Sequence, residues 1–362
     1  MITDRTIFLT AALTGAVFAM VCSYLLTHLT AFVAERVGAV DKPTGGRKIH
    51  TRSIPLFGGV GIAVTILVGM GLLAMNELLP GISGVQLAGF AVAIVILTVG
   101  GMIDDRYPLT AGIQLAFPLL AAVTIVASGT GIIQVTNLVG HGAFSLRWWS
   151  FGPDGLSFPA DILTIFWLLF ATYATKLMDG LDGLVAGLAA IGASMVGALT
   201  ISPAYFQPGV VCLAATVSGA YLGFLPRNIH PAKQFLGEAG STLAGFTLGF
   251  LAIVSSAKVA IALAVLAIPL VDAGLIVLGR LRRGKKPWIG DDTHLHFRLL
   301  RAGVPYRTAV ALLWAAAFAA GLLALGLQTR GKVFLVLGLA MLTVFASWLL
   351  NRHARKKKKA SK

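Results

Sequence analysis

The sequence predicts an all-α membrane protein that crosses the bilayer about eleven times. Of its 362 residues, 57% are hydrophobic and only 12% are charged, whereas soluble domains average about 25% charged residues. Apolar runs of about 18 residues or more recur along the whole chain, and each is long enough to cross roughly 30 Å of hydrocarbon. These two observations exclude a soluble fold.

The apolar runs, taken in order, place the helices and leave little chain between them. The first run lacks the basic segment and the small-residue cleavage site of a signal peptide, so we expect it to be retained. The expected helices lie near residues 7–33, 55–76, 85–103, 113–133, 159–175, 184–202, 208–224, 241–256, 259–278, 308–327 and 332–350. Residues 1–350 therefore form a single membrane domain, and residues 351–362 form a basic tail.

The distribution of lysine and arginine predicts the orientation. One set of alternate loops, together with the tail, holds all the basic residues except Arg5, Arg147, Lys258, Arg330 and Lys332. The positive-inside rule places that set in the cytoplasm and the N-terminus outside. An odd number of helices then places the C-terminal tail in the cytoplasm, as its run of lysines also requires.

The net charge of +15 does not indicate a nucleic-acid partner. The charge lies in short loops, where membrane topology alone requires it. Cys22 and Cys212 lie inside apolar runs, where we expect them to act as small hydrophobic residues. In the longest outer loop, 134–158, the paired Trp148 and Trp149 are typical of the headgroup layer. The basic tail is expected to attract anionic lipid.

Ionisable residues gather at the cytoplasmic ends of the helices. They are Asp104, Asp105, Asp179, Asp182, Glu238, Asp291, Asp292, His294 and His296. Carboxylates at a membrane edge are costly unless they are paired or bound to a cation. Mg²⁺ takes one or two carboxylates and completes its shell with water and substrate phosphate oxygens. The pattern predicts a Mg²⁺-dependent phosphoryl-transfer site that works on lipid, with Mn²⁺ as the alternative metal.

Two short segments have the residue types that such a site needs. Asp179 and Asp182 share a face if their turn is helical. Gly237 and Gly240, expected just before a helix, would present free backbone N–H groups to an anion. Asp272, inside the ninth span, is interpreted as a structural or pocket-lining acid.

The basic and histidine residues leave alternatives open. Arg47, Lys48 and His50 form either an ordinary topology anchor or a contact for a phosphate or lipid headgroup. His294 and His296 are too few for zinc, which needs further histidine or cysteine ligands nearby.

The motifs together resemble one family, the polyprenyl-phosphate N-acetylhexosamine-1-phosphate transferases, over about residues 40–300. The matching segments, in family order, are DKP at 41–43, RKIH at 47–50, PLFGG at 55–59, GMIDDR at 101–106, DGLDGL at 179–184, NIHPAK at 228–233, FLGEAGS at 235–241 and DTHLH at 292–296. Each motif is weak by itself, but the ordered set is specific.

The resemblance implies an activity and a role for each matching residue. The family transfers a sugar 1-phosphate from a UDP-sugar to undecaprenyl or another polyprenyl phosphate at the cytoplasmic face of the inner membrane, and releases UMP. By resemblance, Asp104 and Asp105 would orient or deprotonate the lipid phosphate, Asp179 and Glu238 would hold Mg²⁺, and Asp182 would support them. The implied substrate contacts are Arg47, Lys48, His50, Lys176, Asn228, Lys233, His294, His296 and Arg298. On the same ground alone, a homodimer is expected.

Four positions depart from the family pattern. Lys176 stands in place of asparagine, Glu238 in place of aspartate, Phe297 in place of histidine, and Gly112 near a usual lysine. A lysine beside a metal site should weaken Mg²⁺ binding, and we expect Lys176 to pair with the longer acid Glu238. The departures keep open a homologue that binds lipid phosphate or nucleotide sugar without turnover. A transporter is disfavoured, because transporters place ionisable groups near the bilayer midplane between repeated halves.

Overall fold

The computed structural model describes residues 2–43, 52–137, 142–150, 157–255, 259–284 and 294–360. In these ranges, helices account for most of the chain, and sheet is limited to three short two-stranded pairs. The helices are α1 (Ile2–Val37), α2 (Gly58–Met75), α3 (Gly84–Arg106), α4 (Ala111–Ala127), α5 (Ala160–Met178), α6 (Leu184–Ile201), α7 (Pro208–Asn228), α8 (Gly237–Val254), α9 (Val259–Leu281), α10 (Leu295–Arg301), α11 (Tyr306–Gly326) and α12 (Thr329–Ala360).

The predicted membrane fold is confirmed. Within the described ranges, ten helices are long and apolar enough to cross a bilayer, namely all except α4 and α10. Helix α4 is apolar but has only 17 residues. The ten spans and α4 correspond one to one to the eleven predicted helices, and the chain is a multi-pass membrane protein.

Several helices extend further than the sequence predicts at the ends where the charged residues gather. Helix α3 runs to Arg106 and therefore contains Asp104 and Asp105. Helix α5 runs to Met178 rather than 175, and α8 begins at Gly237 rather than 241. Hydropathy falls where charged side chains begin, but the backbone continues as a helix because its own N–H and C=O groups still need partners. Gly237 and Gly240 consequently lie inside α8, not before it.

Helix α4 is shorter than predicted, ending at Ala127 instead of 133. Gly129 follows the helix with a φ of 75°. A left-handed glycine just beyond the last turn is a common way to end a helix, because glycine has no Cβ to oppose that conformation. The apolar residues after it therefore leave the helix, although their hydropathy continues.

The outer loop contains strands that the sequence analysis did not predict. β3 (Gln134–Thr136) pairs with β4 (Ala143–Ser145), and β5 (Arg147–Ser150) pairs with β6 (Ser157–Pro159), both antiparallel. On β5, Trp148 and Trp149 are exposed, and the Trp149 ring stacks on Phe158 with centroids 5.5 Å apart. Their position in the headgroup layer stays a prediction. β1 (Val40–Asp41) and β2 (Ile54–Pro55) form the third pair, at the other end of the bundle.

Helix α8 is the buried centre of the bundle. It packs against α2, α3, α5, α6, α7 and α9, and nearly all of its residues are buried. Small residues allow this packing: a Cβ added to Gly59 on α2 would overlap the backbone of Gly240 on α8. Close backbone approach at small residues is a common way to associate helices in a membrane. The N-terminal end of α8 is thereby held among the ends of α3 and α5.

Candidate active site

A cavity of about 630 Å³ lies where α3 and α5 end and α8 begins. Loops between α5 and α6, between α7 and α8, and before α10 complete its wall. The predicted site residues that line it are Asp105, Lys176, Asp179, Asp182, Asn228, Glu238, His294 and His296. The fold therefore brings together residues that are far apart in the sequence.

Asp105, in the last turn of α3, meets the first turn of α8. Its Oδ1 accepts a hydrogen bond from the backbone N–H of Glu238 at 2.8 Å. Negative charge is favourable at this position because the first N–H groups of a helix have no partner within the helix. Its Oδ2 is buried and has no hydrogen-bond partner among the described residues. The carboxylate thus caps α8 and keeps one acceptor unused at the cavity wall.

Asp104 turns away from the main cavity. Its Oδ1 accepts from the backbone N–H of Leu109 at 2.6 Å, and its Oδ2 accepts from the Gln114 amide at 2.9 Å. It lines a much smaller pocket on the α4 side, together with Glu238. The paired roles that the resemblance implies for the two aspartates are therefore divided in space.

The expected pair between Lys176 and Glu238 is confirmed as a salt bridge. The Lys176 ammonium also donates to Oε1 of Gln114 at 3.0 Å. A continuous polar chain thus runs from Asp104 through Gln114 and Lys176 to Glu238. Gln114 was not predicted to belong to the site, because a single glutamine within an apolar helix does not indicate these partners.

Asp179 follows α5 in a turn and is open to the cavity, while protein encloses it on its other sides. Burial, together with the negative charges of Glu238 and Asp182, raises the pKa of Asp179 to about 7. Neighbouring carboxylates that repel one another create a place for a cation.

Asp182 serves a different purpose in the same turn. The turn is not helical, so the condition for Asp179 and Asp182 to share a helix face is not met. Asp182 Oδ2 lies 2.8 Å from Nδ1 of His230 and accepts from the backbone N–H of Ala232 at 3.1 Å. Its own backbone N–H donates to the Tyr306 hydroxyl at 2.5 Å. Asp182 therefore ties the turn to the α7–α8 loop and to α11.

Asn228 is at the cavity wall but has structural hydrogen bonds. Its Oδ1 accepts from the N–H of Gly183 at 3.0 Å, and its Nδ2 donates to the carbonyl of Gln234 at 3.0 Å. It is almost fully buried. Its amide thus joins the turn after α5 to the loop after α7.

The two histidines stand side by side at the start of α10. His294 Nδ1 lies 2.9 Å from Oδ2 of the buried Asp272, which also accepts the N–H of Leu295. His296 is fully buried, and neither ring nitrogen has a partner among the described residues. Burial, with a smaller contribution from the neighbouring His294, lowers the pKa of His296 to about 3, so the ring is neutral at pH 7. Phe297, at the departing position, packs against His296 with ring centroids 4.4 Å apart.

The other predicted substrate-binding residues do not line the cavity or lie outside the described residues. Lys233 is exposed, and neither it nor Arg298 lines the cavity. Arg47, Lys48 and His50, together with Asp291 and Asp292, lie outside the described residues.

The cavity also includes residues for which the sequence analysis assigned no role. They are Asp41, Arg52, His230 and Tyr306. His230 belongs to the NIHPAK segment, and that motif could have indicated its place in the site. Tyr306 is the first residue of a span, and nothing in the sequence around it indicates a role in the site.

The carboxylates at the cavity fit a divalent cation that takes part of its ligands from the bound substrate. Within the described ranges, no group of three metal-ligating side chains is already assembled. Mg²⁺ needs only one or two carboxylates when water and phosphate supply the rest. Asp179 is open to the cavity, and Oδ2 of Asp105 is a buried acceptor without a partner. Glu238 is nearby but is already paired with Lys176.

Comparison with known proteins reveals one family. The model of the family described as glycosyl transferase family 4 matches residues 87–256. The chain is 31% identical over 314 residues to the undecaprenyl-phosphate alpha-N-acetylglucosaminyl 1-phosphate transferase of Escherichia coli K12, covering 82% of this chain and 80% of that protein. It is 29% identical over 301 residues to a probable undecaprenyl-phosphate N-acetylglucosaminyl 1-phosphate transferase of Bacillus subtilis 168, with 81% and 78% covered. It is 29% identical over 374 residues to the decaprenyl-phosphate N-acetylglucosaminephosphotransferase of Mycolicibacterium smegmatis, with 94% and 88% covered.

Proposed function

Since this chain belongs to glycosyl transferase family 4, we propose that it transfers N-acetylglucosamine 1-phosphate from a UDP-sugar to a polyprenyl phosphate and releases UMP. The names of its relatives describe this kind of transfer with undecaprenyl or decaprenyl phosphate. The observation that carries the proposal is the cavity, where Asp105, Asp179, Glu238, His294 and His296 converge from four separate segments. Its volume of about 630 Å³ suits a small-molecule substrate.

The proposed reaction exchanges one phosphorus–oxygen bond for another. A phosphate oxygen of the lipid forms a bond to the sugar-bearing phosphorus of the UDP-sugar. The bond from that phosphorus to the bridging oxygen breaks, and the oxygen leaves with UMP. Such a transfer depends mainly on positioning and on neutralising charge. The basic loops favour the cytoplasmic face of the inner membrane as its location, where the lipid headgroup and a soluble nucleotide sugar meet.

The residues divide this work among them. Asp179 and the Glu238 oxygen that does not pair with Lys176 would hold Mg²⁺, which when bound neutralises the diphosphate and the departing UMP. Asp105 presents an unused buried acceptor to the same wall and would orient the lipid phosphate or take its proton. His294, fixed by Asp272, and the neutral His296 would each donate a hydrogen bond to a phosphate oxygen of the UDP-sugar.

The test is UMP release by the purified full-length protein supplied with undecaprenyl phosphate and UDP-GlcNAc. We expect release that EDTA abolishes and that added Mg²⁺ or Mn²⁺ restores. Asp179→Asn should lower kcat by about a hundredfold or more, because charge at a transferring phosphoryl group is worth several kcal/mol. Asp161→Asn is the matched control: Asp161 accepts the N–H of Ser157 near the outer hairpins, away from the cavity.

The alternative is a homologue that binds its substrates without turnover. The relatives are all named as transferases, which does not favour it. Tight nucleotide binding without UMP release from any UDP-sugar, but with release restored by Lys176→Asn plus Glu238→Asp, would establish that alternative and refute our proposal.

A further inference from the structure

His230 lines the cavity, but the proposed reaction leaves it unused. It lies in the loop between α7 and α8. Its Nδ1 is 2.8 Å from Oδ2 of Asp182, and its ring stacks on Tyr306 with centroids 3.9 Å apart and planes 22° apart. The ring is therefore held both at one edge and across one face.

The partners that hold this ring are themselves held. Asp182 also accepts the N–H of Ala232, and its backbone N–H donates to the Tyr306 hydroxyl. Tyr306 thus supports the imidazole through its ring and supports the carboxylate segment through its hydroxyl. The Arg307 side chain donates to the carbonyl of His230 at 3.0 Å, which fixes the backbone at the same residue. Few rotations remain available to the ring.

This arrangement directs the second ring nitrogen to an external partner. An ionised carboxylate only accepts hydrogen bonds, so Nδ1 of His230 carries the proton that faces Asp182. Such a pairing fixes the orientation of the imidazole and leaves Nε2 facing away from Asp182. The side chain is 34% exposed, and among the described residues nothing contacts Nε2 through a hydrogen bond. If His230 only held the loop in place, it would need only the hydrogen bond from Nδ1 to Asp182. A contact with substrate would instead use Nε2.

We propose that His230 contacts a phosphate group of the bound substrate through Nε2, and that Asp182 and Tyr306 are its positioning residues. Phosphate oxygens suit this nitrogen because, with a proton on each ring nitrogen, His230 donates through Nδ1 to Asp182 and through Nε2 to an anionic oxygen that only accepts. The inference rests on the proposed function, which supplies two phosphates: the diphosphate of the UDP-sugar and the headgroup of the polyprenyl phosphate. Contact with either one satisfies the proposal.

Two conservative variants distinguish a substrate contact through Nε2 from a purely structural role of the Nδ1 hydrogen bond. In His230→Asn the side-chain amide reaches about as far as Nδ1, so it keeps a donor toward Asp182 and loses Nε2. In His230→Gln the amide reaches about as far as Nε2 and gives up the bond to Asp182. The measurements are kcat and the KM of each substrate, UDP-GlcNAc and undecaprenyl phosphate, on the full-length protein. His28→Gln is the control, since His28 lies on α1 and does not line the cavity.

We expect His230→Asn to raise the KM of one substrate by about tenfold to a hundredfold, the range for losing a hydrogen bond to a charged group. His230→Gln should raise that KM about tenfold less than His230→Asn does, because it keeps a donor at the position of Nε2. If only the KM of UDP-GlcNAc rises, the group that His230 contacts is the diphosphate. If only the KM of undecaprenyl phosphate rises, that group is the lipid headgroup. Normal kinetics in His230→Asn with impairment in His230→Gln would overturn the proposal, as would equal losses in both variants that follow a lowered Tm.

Failure of the proposed function would show separately. If the wild type releases no UMP, that function fails, and the contact is then tested by the Kd of UDP-GlcNAc and of undecaprenyl phosphate. A Kd raised tenfold in His230→Asn but not in His230→Gln supports the contact, and unchanged Kd values for both ligands refute it.

Discussion

Asp104 and Asp105 are neighbours in the chain but have different surroundings. Successive residues of an α-helix point about 100° apart, which follows from 3.6 residues per turn. Asp104 consequently faces α4 and Gln114, while Asp105 faces α8 and the cavity. Their chemical equivalence in the sequence does not extend to their positions.

The two aspartates should therefore differ on substitution. Asp105→Asn is expected to lower kcat by about a hundredfold or more, in the range for losing a group that handles a proton. Asp104→Asn should cost about tenfold, because it loosens the support of Gln114 and Lys176 by about one hydrogen bond. The measurement is the rate of UMP release. Equal losses in the two variants would show that Asp104 acts directly, contrary to its position here.

Lys176 is the built-in cation of the acidic cluster. Its ammonium pairs with Glu238 and donates to Gln114, and both charged side chains are less than one-fifth exposed. Removing one partner of a buried pair leaves the other charge uncompensated, which costs about 3 kcal/mol or more.

Lys176→Met should accordingly lower the free energy of unfolding in mixed micelles by about 3 kcal/mol. Lys176→Met combined with Glu238→Gln should regain most of that loss, because no uncompensated charge remains. Arg282→Met, which removes an exposed cation, is the control and should change little. Losses that simply add in the double variant would mean that the two side chains are not coupled.

At the scale of elements, the site depends on how closely α8 approaches its neighbours. The N–H of Gly59 donates to the carbonyl of Leu236 at 2.8 Å, and a Cβ at Gly59 would overlap the backbone of Gly240. The same contact fixes the height of Glu238 relative to Asp105. Helix packing thus determines the geometry of the carboxylates.

Gly59→Ala should lower the Tm of the protein in detergent, because the added methyl forces α2 and α8 apart. We expect a loss of about 1–3 kcal/mol, the usual cost of overpacking. Gly71→Ala, on the same helix, is the matched control: its Cβ would meet nothing within 4 Å. That change should be neutral or slightly stabilising, since alanine favours helix more than glycine does. Equal Tm values for the two variants would contradict the close approach.

At the scale of the whole molecule, charge and hydrophobicity predict how the bundle lies in the membrane. The outer hairpins β3–β4 and β5–β6 and the acidic cavity are at opposite ends of the spans. The periphery, including much of α1 and α12, exposes large apolar side chains suited to lipid. A homodimer stays a prediction, which native mass spectrometry checks.

Labelling with a membrane-impermeant maleimide tests the orientation. A cysteine at Ser145, on the exposed strand β4, should react in intact cells. A cysteine at Arg282, in the basic segment after α9, should react only after the cells are permeabilised. Cys22 and Cys212 are first replaced by serine in both variants so that they do not contribute. The reverse labelling pattern would invert the predicted topology and place the cavity outside.

The sequence by itself determined the order of the eleven long apolar helices, most of the acidic and histidine residues at the cavity, and the family; the short helix α10 was not predicted. These follow from local properties: an apolar run must be helical in lipid because its backbone groups have no other partners there. The pairing of Lys176 with Glu238 was also predictable, because it requires only two opposite charges at the same membrane edge.

Only the tertiary structure decided which atoms meet. It placed Asp104 in hydrogen-bond contact with Gln114, Asp182 with His230, and His294 with Asp272. Each of these hydrogen bonds joins different segments of the chain or depends on the exact rotation of a helix. Side-chain partners of that kind arise from the packing of α8 with its neighbours, and hydropathy and residue spacing contain no information about that packing.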